Sequence, residues 1–213
     1  MTRGRIVVDL FTTLDGVAQA PGGPEEDTTG GFRFGGWQAP FEDEVIGADI
    51  GAGIRRMDAL LLGRRTYDIF AAYWPQHTDG AEGFIGRHFD EIPKYVATRG
   101  ALVPHWRRTT VLDAADIAAQ VDALRDRHTE IHVIGSVDFV QTLLRERLFD
   151  ELKLWVYPVV LGEGKKVFPG GAAPARLRLV EPAVTGPTGT LLLRYAPDGD
   201  VVTGDMTADP STL

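Results

Sequence analysis

Two apolar runs in this chain each stop at a glycine that is followed at once by a residue suited to opening a helix: Asp58-Ala-Leu-Leu-Leu-Gly-Arg-Arg-Thr66 and Ile131-His-Val-Ile-Gly-Ser136. Short leucine- and β-branched-rich runs bounded by such punctuation read as buried strands. A strand that turns straight into a helix leaves backbone N–H groups unpaired at the positive end of the helix dipole, and glycine lets a ligand approach the main chain there. Two turns of this kind imply a dinucleotide held at both ends. The first also carries Arg64, Arg65 and Thr66, adding fixed positive charge and a hydroxyl where a phosphate would sit.

At 213 residues with no low-complexity linker, the chain is expected to form one domain over residues 1–197, followed by a flexible tail over 198–213. The net charge of −8 comes without a basic stripe, which argues against nucleic acid or a membrane as the partner and leaves a small molecule. Cysteine is absent, so disulfides, thiolate catalysis and cysteine-held metals are excluded, and any redox chemistry needs a bound cofactor. The N-terminal residues run into a strand without a signal-peptide stretch, and no later run approaches spanning length. A cytoplasmic location is expected.

Along the chain, Arg5–Phe11 reads as a buried strand. From Thr12 to Pro40 the sequence is dense in Gly and Pro and has almost no periodicity, a pattern that in a compact domain marks a lid or binding loop. Its aromatic residues Phe32, Phe34 and Trp37 either cover a planar ring or pin the loop to the core. Helical patterns follow over Phe41–Arg56, Thr66–Tyr73 and Ala114–Arg127, the last capped by Asp113, and again after Ser136. Strands are expected at Ala59–Leu62, Lys94–Ala97, Val111–Leu112 and Ile131–Ile134. Residues Gln76–Pro93 are polar and undecided. Glu151–Leu161 alternates like a strand with one wetter face, and Leu177–Val184 with Thr190–Tyr195 forms a closing hairpin around Gly186-Pro-Thr-Gly189. The outcome is an α/β fold with a mostly parallel central sheet and an antiparallel C-terminal edge hairpin.

Motif by motif, several chemistries drop out. Neither G-x-G-x-x-G nor the P-loop is present, Gly162-Glu-Gly-Lys-Lys166 being a turn, and neither serine lies in G-x-S-x-G. The histidines at 77, 88, 105, 128 and 132 lack metal-ligand spacing. Arg64, Arg65 and Arg99 follow strand ends, where a parallel sheet opens its ligand crevice, with Thr66 and Thr98 adjacent. Singly each is an ordinary surface charge; together they favour a phosphorylated adenosine. Asp15, beside Gly16, is either a turn residue or a group that orients substrate or relays a proton, and Asp49 on the helix lining the crevice is the second catalytic candidate.

At these residues the chain resembles the dihydrofolate-reductase-fold family of riboflavin-pathway reductases, the C-terminal domain of bifunctional deaminase-reductases. The likeness runs from about Arg5 to Tyr195 and rests on Thr13-Leu-Asp-Gly16, Asp58–Tyr67, Val133-Ile-Gly-Ser136, Asp150-Glu-Leu and Pro158-Val-Val-Leu-Gly-Glu-Gly164. It implies a three-layer α/β/α fold, a homodimer, and NADPH across the sheet. In that arrangement Gly63, Arg64, Arg65 and Thr66 serve the adenosine phosphates, Thr98 and Arg99 the 2′-phosphate, and Gly135, Ser136 and Val137 the pyrophosphate. Substrate would lie near Thr13, Leu14, Asp15 and Trp37. The implied reaction is hydride transfer to a phosphoribosylamino-uracil, as in 5-amino-6-(5-phosphoribosylamino)uracil reductase. The alternatives are reduction of dihydrofolate or another pteridine, or NADPH binding without catalysis. The arginines that would hold a substrate's ribose phosphate are left unassigned by the resemblance.

Overall fold

Runs that are apolar on both sides pair in parallel when helices cover both faces of a sheet, and the chain does this repeatedly. In the computed structural model, which describes residues 3–207, the parallel strands are β1 (Arg5–Thr13), β2 (Ala59–Gly63), β3 (Lys94–Thr98), β4 (Thr109–Asp113), β5 (Glu130–Val133) and β6 (Glu151–Tyr157). They lie in the order β4-β3-β2-β5-β1-β6. Two short strands, β7 (Leu177–Leu179) and β8 (Val184–Thr185), both pair antiparallel with β9 (Leu191–Pro197), which itself pairs antiparallel with β6. The expected closing hairpin is therefore present, with its first arm broken in two. The turn at its tip is closed by the Gly189 N–H donating to the Gly186 carbonyl at 3.0 Å.

Helices α1 (Glu44–Arg56), α2 (Arg64–Tyr73), α3 (Gly83–Glu91), α4 (Ile117–Leu124) and α5 (Val137–Arg145) form the outer layers. Alternate residues of β1 and β5, Ile6, Val8, Leu10, Ile131 and Val133, pack with Val121 and Leu124 of α4 and with Phe139, Val140 and Leu143 of α5. Leu60, Leu62 and Val96 face the other way, against Ile54 of α1, Tyr67 and Ala71 of α2 and Phe89 of α3. The result is the expected three-layer α/β/α arrangement. Among the described residues, no helix is long and apolar enough to cross a membrane.

Three expectations change. Helix α3 lies in the undecided stretch, and its hidden face is partly glycine: a Cβ on Gly86 would sit 2.1 Å from the His77 carbonyl oxygen, so no apolar periodicity marks it. The supposed wetter face of Glu151–Leu161 is not wet. Lys153, Trp155 and Tyr157 are all buried, because α1 and the 17–41 loop cover that side of β6. The N-terminal cap of α5 is Ser136 as expected, but its side chain makes no capping hydrogen bond. The expected tail is described only to residue 207, and residues 208–213 lie outside the described residues.

The long Gly/Pro-rich loop holds only 3₁₀ turns at Thr29–Gly31 and Ala39–Phe41. Phe32 and Trp37 are buried with Val17, Ala20, Trp155 and Tyr157, and the Trp37 indole N–H donates to the Gln19 carbonyl at 2.8 Å. The aromatic residues therefore pin the loop to the core.

Glycine is required where β2 meets α2. A Cβ at Gly63 would lie 2.3 Å from Ser136 Oγ and 2.9 Å from Phe139 Cβ, whereas one at Gly47, inside α1, would meet nothing within 4 Å. Gly63→Ala is expected to destabilise the protein by about 1–3 kcal/mol through overpacking, and Gly47→Ala to stabilise it by about 0.5–1 kcal/mol through helix propensity. Urea unfolding of the two variants checks the opposite signs.

Candidate functional site

The two glycine-ended turns meet. β2 and β5 are parallel neighbours, so the chain leaves both at the same sheet edge, and the Gly63 N–H donates to the Gly135 carbonyl at 2.9 Å. Gly135 has φ +137, and a Cβ there would lie 2.5 Å from Thr66 Oγ1, so glycine lets α2 close on the turn. Because the Gly63 amide is committed to Gly135, its contribution is close approach and not a ligand contact. The free amides are those of the first residues of α2 and α5, which have no intrahelical acceptor.

These turns open on a cleft of about 1500 Å³. Gly63, Arg64, Arg65, Thr66, Thr98, Arg99, Gly135, Ser136 and Val137, the whole expected cofactor set, line it. Its cations are held by carboxylates. Arg64 Nε contacts both oxygens of Asp68 at 2.9 Å, and Arg99 lies 3.4 Å from Asp138 with both side chains well exposed. Arg65 and Lys165 share one buried carboxylate, Asp27, at 2.5 and 2.6 Å. Burial of Asp27 acts to raise its pKa, but hydrogen bonds from Lys165, Thr29 and Arg65 outweigh that and hold it far below the usual carboxylate range. Asp27 thereby ties the 17–41 loop to α2 and to the 162–166 turn. It carries no periodic signal in the sequence.

The expected substrate and catalytic residues do not come to the cleft wall. Thr13 is buried; its hydroxyl donates to Asp15 at 2.6 Å and accepts from the Val17 amide at 2.9 Å. Asp15 also accepts from the amides of Leu161 and Gly162 at 3.2 and 2.9 Å. Desolvation pushes its pKa up, but the bonds from Thr13, Gly162 and Leu161 prevail and hold it at about 2. Asp15 thus ties the 13–17 turn to the 158–166 segment. Leu14 points into solvent and Trp37 is in the core. Asp49 is a counter-ion to Lys153 Nζ at 2.8 Å and to Arg194, while its neighbour Ile50 lines the cleft.

The structure instead brings forward Asp9, hidden from sequence reading inside the apolar run of β1. It lines the cleft, accepts from Trp155 Nε1 at 2.6 Å, and lies 3.5 Å from both Lys153 Nζ and His132 Nδ1. His132 Nε2 in turn bonds Glu130 at 2.9 Å. Desolvation raises the pKa of Asp9, but His132, Lys153 and Trp155 outweigh it and hold the carboxyl at about 2. For His132 burial acts downward, and Asp9 and Glu130 reverse it, so its pKa is raised. Among the described residues no cluster fits a metal ion.

This sheet order, with helices on both faces and a crevice at the β2 and β5 ends, defines a dihydrofolate-reductase-like α/β protein. The chain belongs to the RibD C-terminal domain family, which it matches over residues 5–191. It is 27% identical over 168 residues to the uncharacterised protein YyaP of Bacillus subtilis (strain 168), covering 77% of this chain and 80% of that one. Among solved structures it is similar to a protein assigned to riboflavin biosynthesis from Shewanella sp. PV-4, with TM-score 0.65, 20% identity and coverage of 91% and 99% of the two chains. It is also similar in fold to dihydrofolate reductase from Enterococcus faecalis complexed with NADP(H), with TM-score 0.54, 12% identity and coverage of 92% and 98%.

The folded pKa of Asp9 lies below its ordinary value of 3.8, so its contribution to stability is present above about pH 4 and fades as pH falls toward 2. A shift from 3.8 to about 2 corresponds to about 2 kcal/mol. Urea unfolding across this window should show Asp9→Asn less stable than wild type at pH 6 but flatter between pH 4 and 2. An equally steep acid limb in the variant would remove Asp9 from the account.

Proposed function

We propose that the protein is an NADPH-dependent reductase that transfers a hydride to a small heterocyclic acceptor. The observation that carries this reading is the convergence of two helix N-termini, free amides and arginines on one cleft of about 1500 Å³, large enough for a dinucleotide and a ring beside it. The family and the NADP(H)-bound Enterococcus faecalis relative support it.

The residues present fit the cofactor. Gly63 and Gly135 let the starts of α2 and α5 converge with no side chain of their own between them, and the first amides of both helices are free to meet anionic groups. Arg64, Arg65 and Thr66 would hold the adenosine phosphates, Thr98 and Arg99 the 2′-phosphate, and Ser136 and Val137 the pyrophosphate. When bound, NADPH supplies the hydride; the chain binds it and orients its ring against the acceptor beside the 17–41 loop. The Thermotoga maritima protein of similar fold described as a 5-amino-6-(5-phosphoribosylamino)uracil reductase supplies the first acceptor to compare.

Of the cations lining the cleft, Arg99 is the least committed to a protein partner, since both it and Asp138 are largely exposed, and such a pair contributes little. Arg99→Ala is therefore expected to weaken NADPH by about tenfold and NADH by less than about twofold, the lost contact being a charge-assisted bond to the extra phosphate. Calorimetric titration with both nucleotides checks it, and equal losses would refute the assignment.

A further inference from the structure

We propose that the acceptor is a neutral, largely apolar nitrogen heterocycle without phosphate or carboxylate groups. This rests on the cofactor reading above and concerns the other half of the same cleft. Among the described residues, the cations lining the cleft are Arg64, Arg65, Arg99 and Lys165. They sit at the α2 N-terminus, after β3, and in the turn clamped to Asp27, which is the phosphate-binding half.

The cleft continues beneath α1 and toward α3, where Ile50, Ile54, Phe70, Trp74, Ile85 and Phe89 line it. The ionisable side chains lining the cleft away from those cations are acids or a phenol: Asp9 on β1, Glu25 and Glu26 of the loop, Glu42, Glu82 and Tyr73, whose hydroxyl donates to Glu82 at 2.5 Å. Lys153 lies behind Asp9, is 1% exposed, and is committed to Asp9 and Asp49. An anionic substituent placed here would lose its hydration against apolar walls and meet only carboxylates. An apolar ring gains burial, and a ring N–H gains an ionised acceptor in Asp9, which Trp155 and Lys153 hold in place.

The reaction such a site supports is reduction of a ring C=N bond. The hydride leaving the reduced nicotinamide forms a C–H bond at the acceptor carbon, and the C=N π pair moves onto nitrogen. That nitrogen takes a proton from water, and the nicotinamide becomes the oxidised cofactor. This arrangement disfavours the phosphorylated uracil and the dicarboxylate tail of dihydrofolate alike.

The test uses the whole protein saturated with NADPH, whose binding is first established by quenching of tryptophan emission. Two pairs of probes are then titrated by calorimetry: a methyl-substituted dihydropterin against dihydrofolate, and a ribosylamino-uracil against its phosphate ester. In each pair the uncharged member should bind at least about tenfold more tightly. Asp9→Asn should reduce that binding by about tenfold while leaving NADPH affinity within about twofold. Preference for the anionic member, equal affinity within the pairs, or no binding of any member at millimolar concentration would overturn the proposal. Failure to bind NADPH at all would instead remove the reading on which it rests.

Discussion

The contact between Gly63 and Gly135 holds the site together. β2 and β5 are adjacent and parallel, but α2 packs on one face of the sheet and α5 on the other. Their N-termini can converge only if the chain leaving β2 touches the chain leaving β5, which it does through the Gly63 amide and the Gly135 carbonyl at 2.9 Å. Neither position tolerates a side chain: Ser136 fills the space at one and Thr66 the space at the other. Two helix dipoles are thereby aimed at one small volume, and the rest of the cleft is arranged around that field.

The sheet's two faces are chemically unequal, and this asymmetry sets the character of the cleft. The face under α4 and α5 is almost wholly apolar. The face under α1 contains Asp9, His132, Glu130 and Lys153, linked to Asp49 and Arg194. Burying so many charges is costly unless each finds an opposite partner. Here the chain supplies partners on four strands, β1, β5, β6 and β9, in register with one another. Gly53 brings the α1 backbone down over the array, with the position of its missing Cβ 3.5 Å from Lys153 Nζ. Such an array specifies register, since a one-residue slip of any strand would leave buried ions unpaired.

What the sequence disclosed follows the same physics. Gly63 and Gly135 were legible because glycine after an apolar run has few other reasons to be there, and the arginines next to them followed. Most helices and strands were legible from periodicity. Asp9 and Lys153 were not, because a charged residue within a strand pattern reads as one outward-facing position, and only the third dimension shows that α1 covers it. The Thr13–Asp15 motif is a real structural signature whose hydrogen bonds close inward on Leu161 and Gly162; its residue types alone could not distinguish a knot from a reactive group. Asp27 was invisible for a different reason. Its partners Arg65 and Lys165 are remote in sequence, and nothing in a Gly/Pro-rich loop predicts which acid will be buried.

Asp27 also explains how a long irregular loop is fastened over a charged cleft. One carboxylate shared by Arg65 and Lys165 satisfies the geometry of both but balances the charge of only one, so these three side chains together carry a net positive charge. Arg64, by contrast, is neutralised by Asp68 on its own helix, and Arg99 is loosely screened by Asp138. The loop is thus fastened by the same residues that bring two of the cleft's cations together. Across the cleft, Asp9 is held ionised by Lys153 and Trp155 from behind. The cleft's cations are thus gathered at one end, and an ionised carboxylate without a neighbouring cleft-lining cation stands at the other.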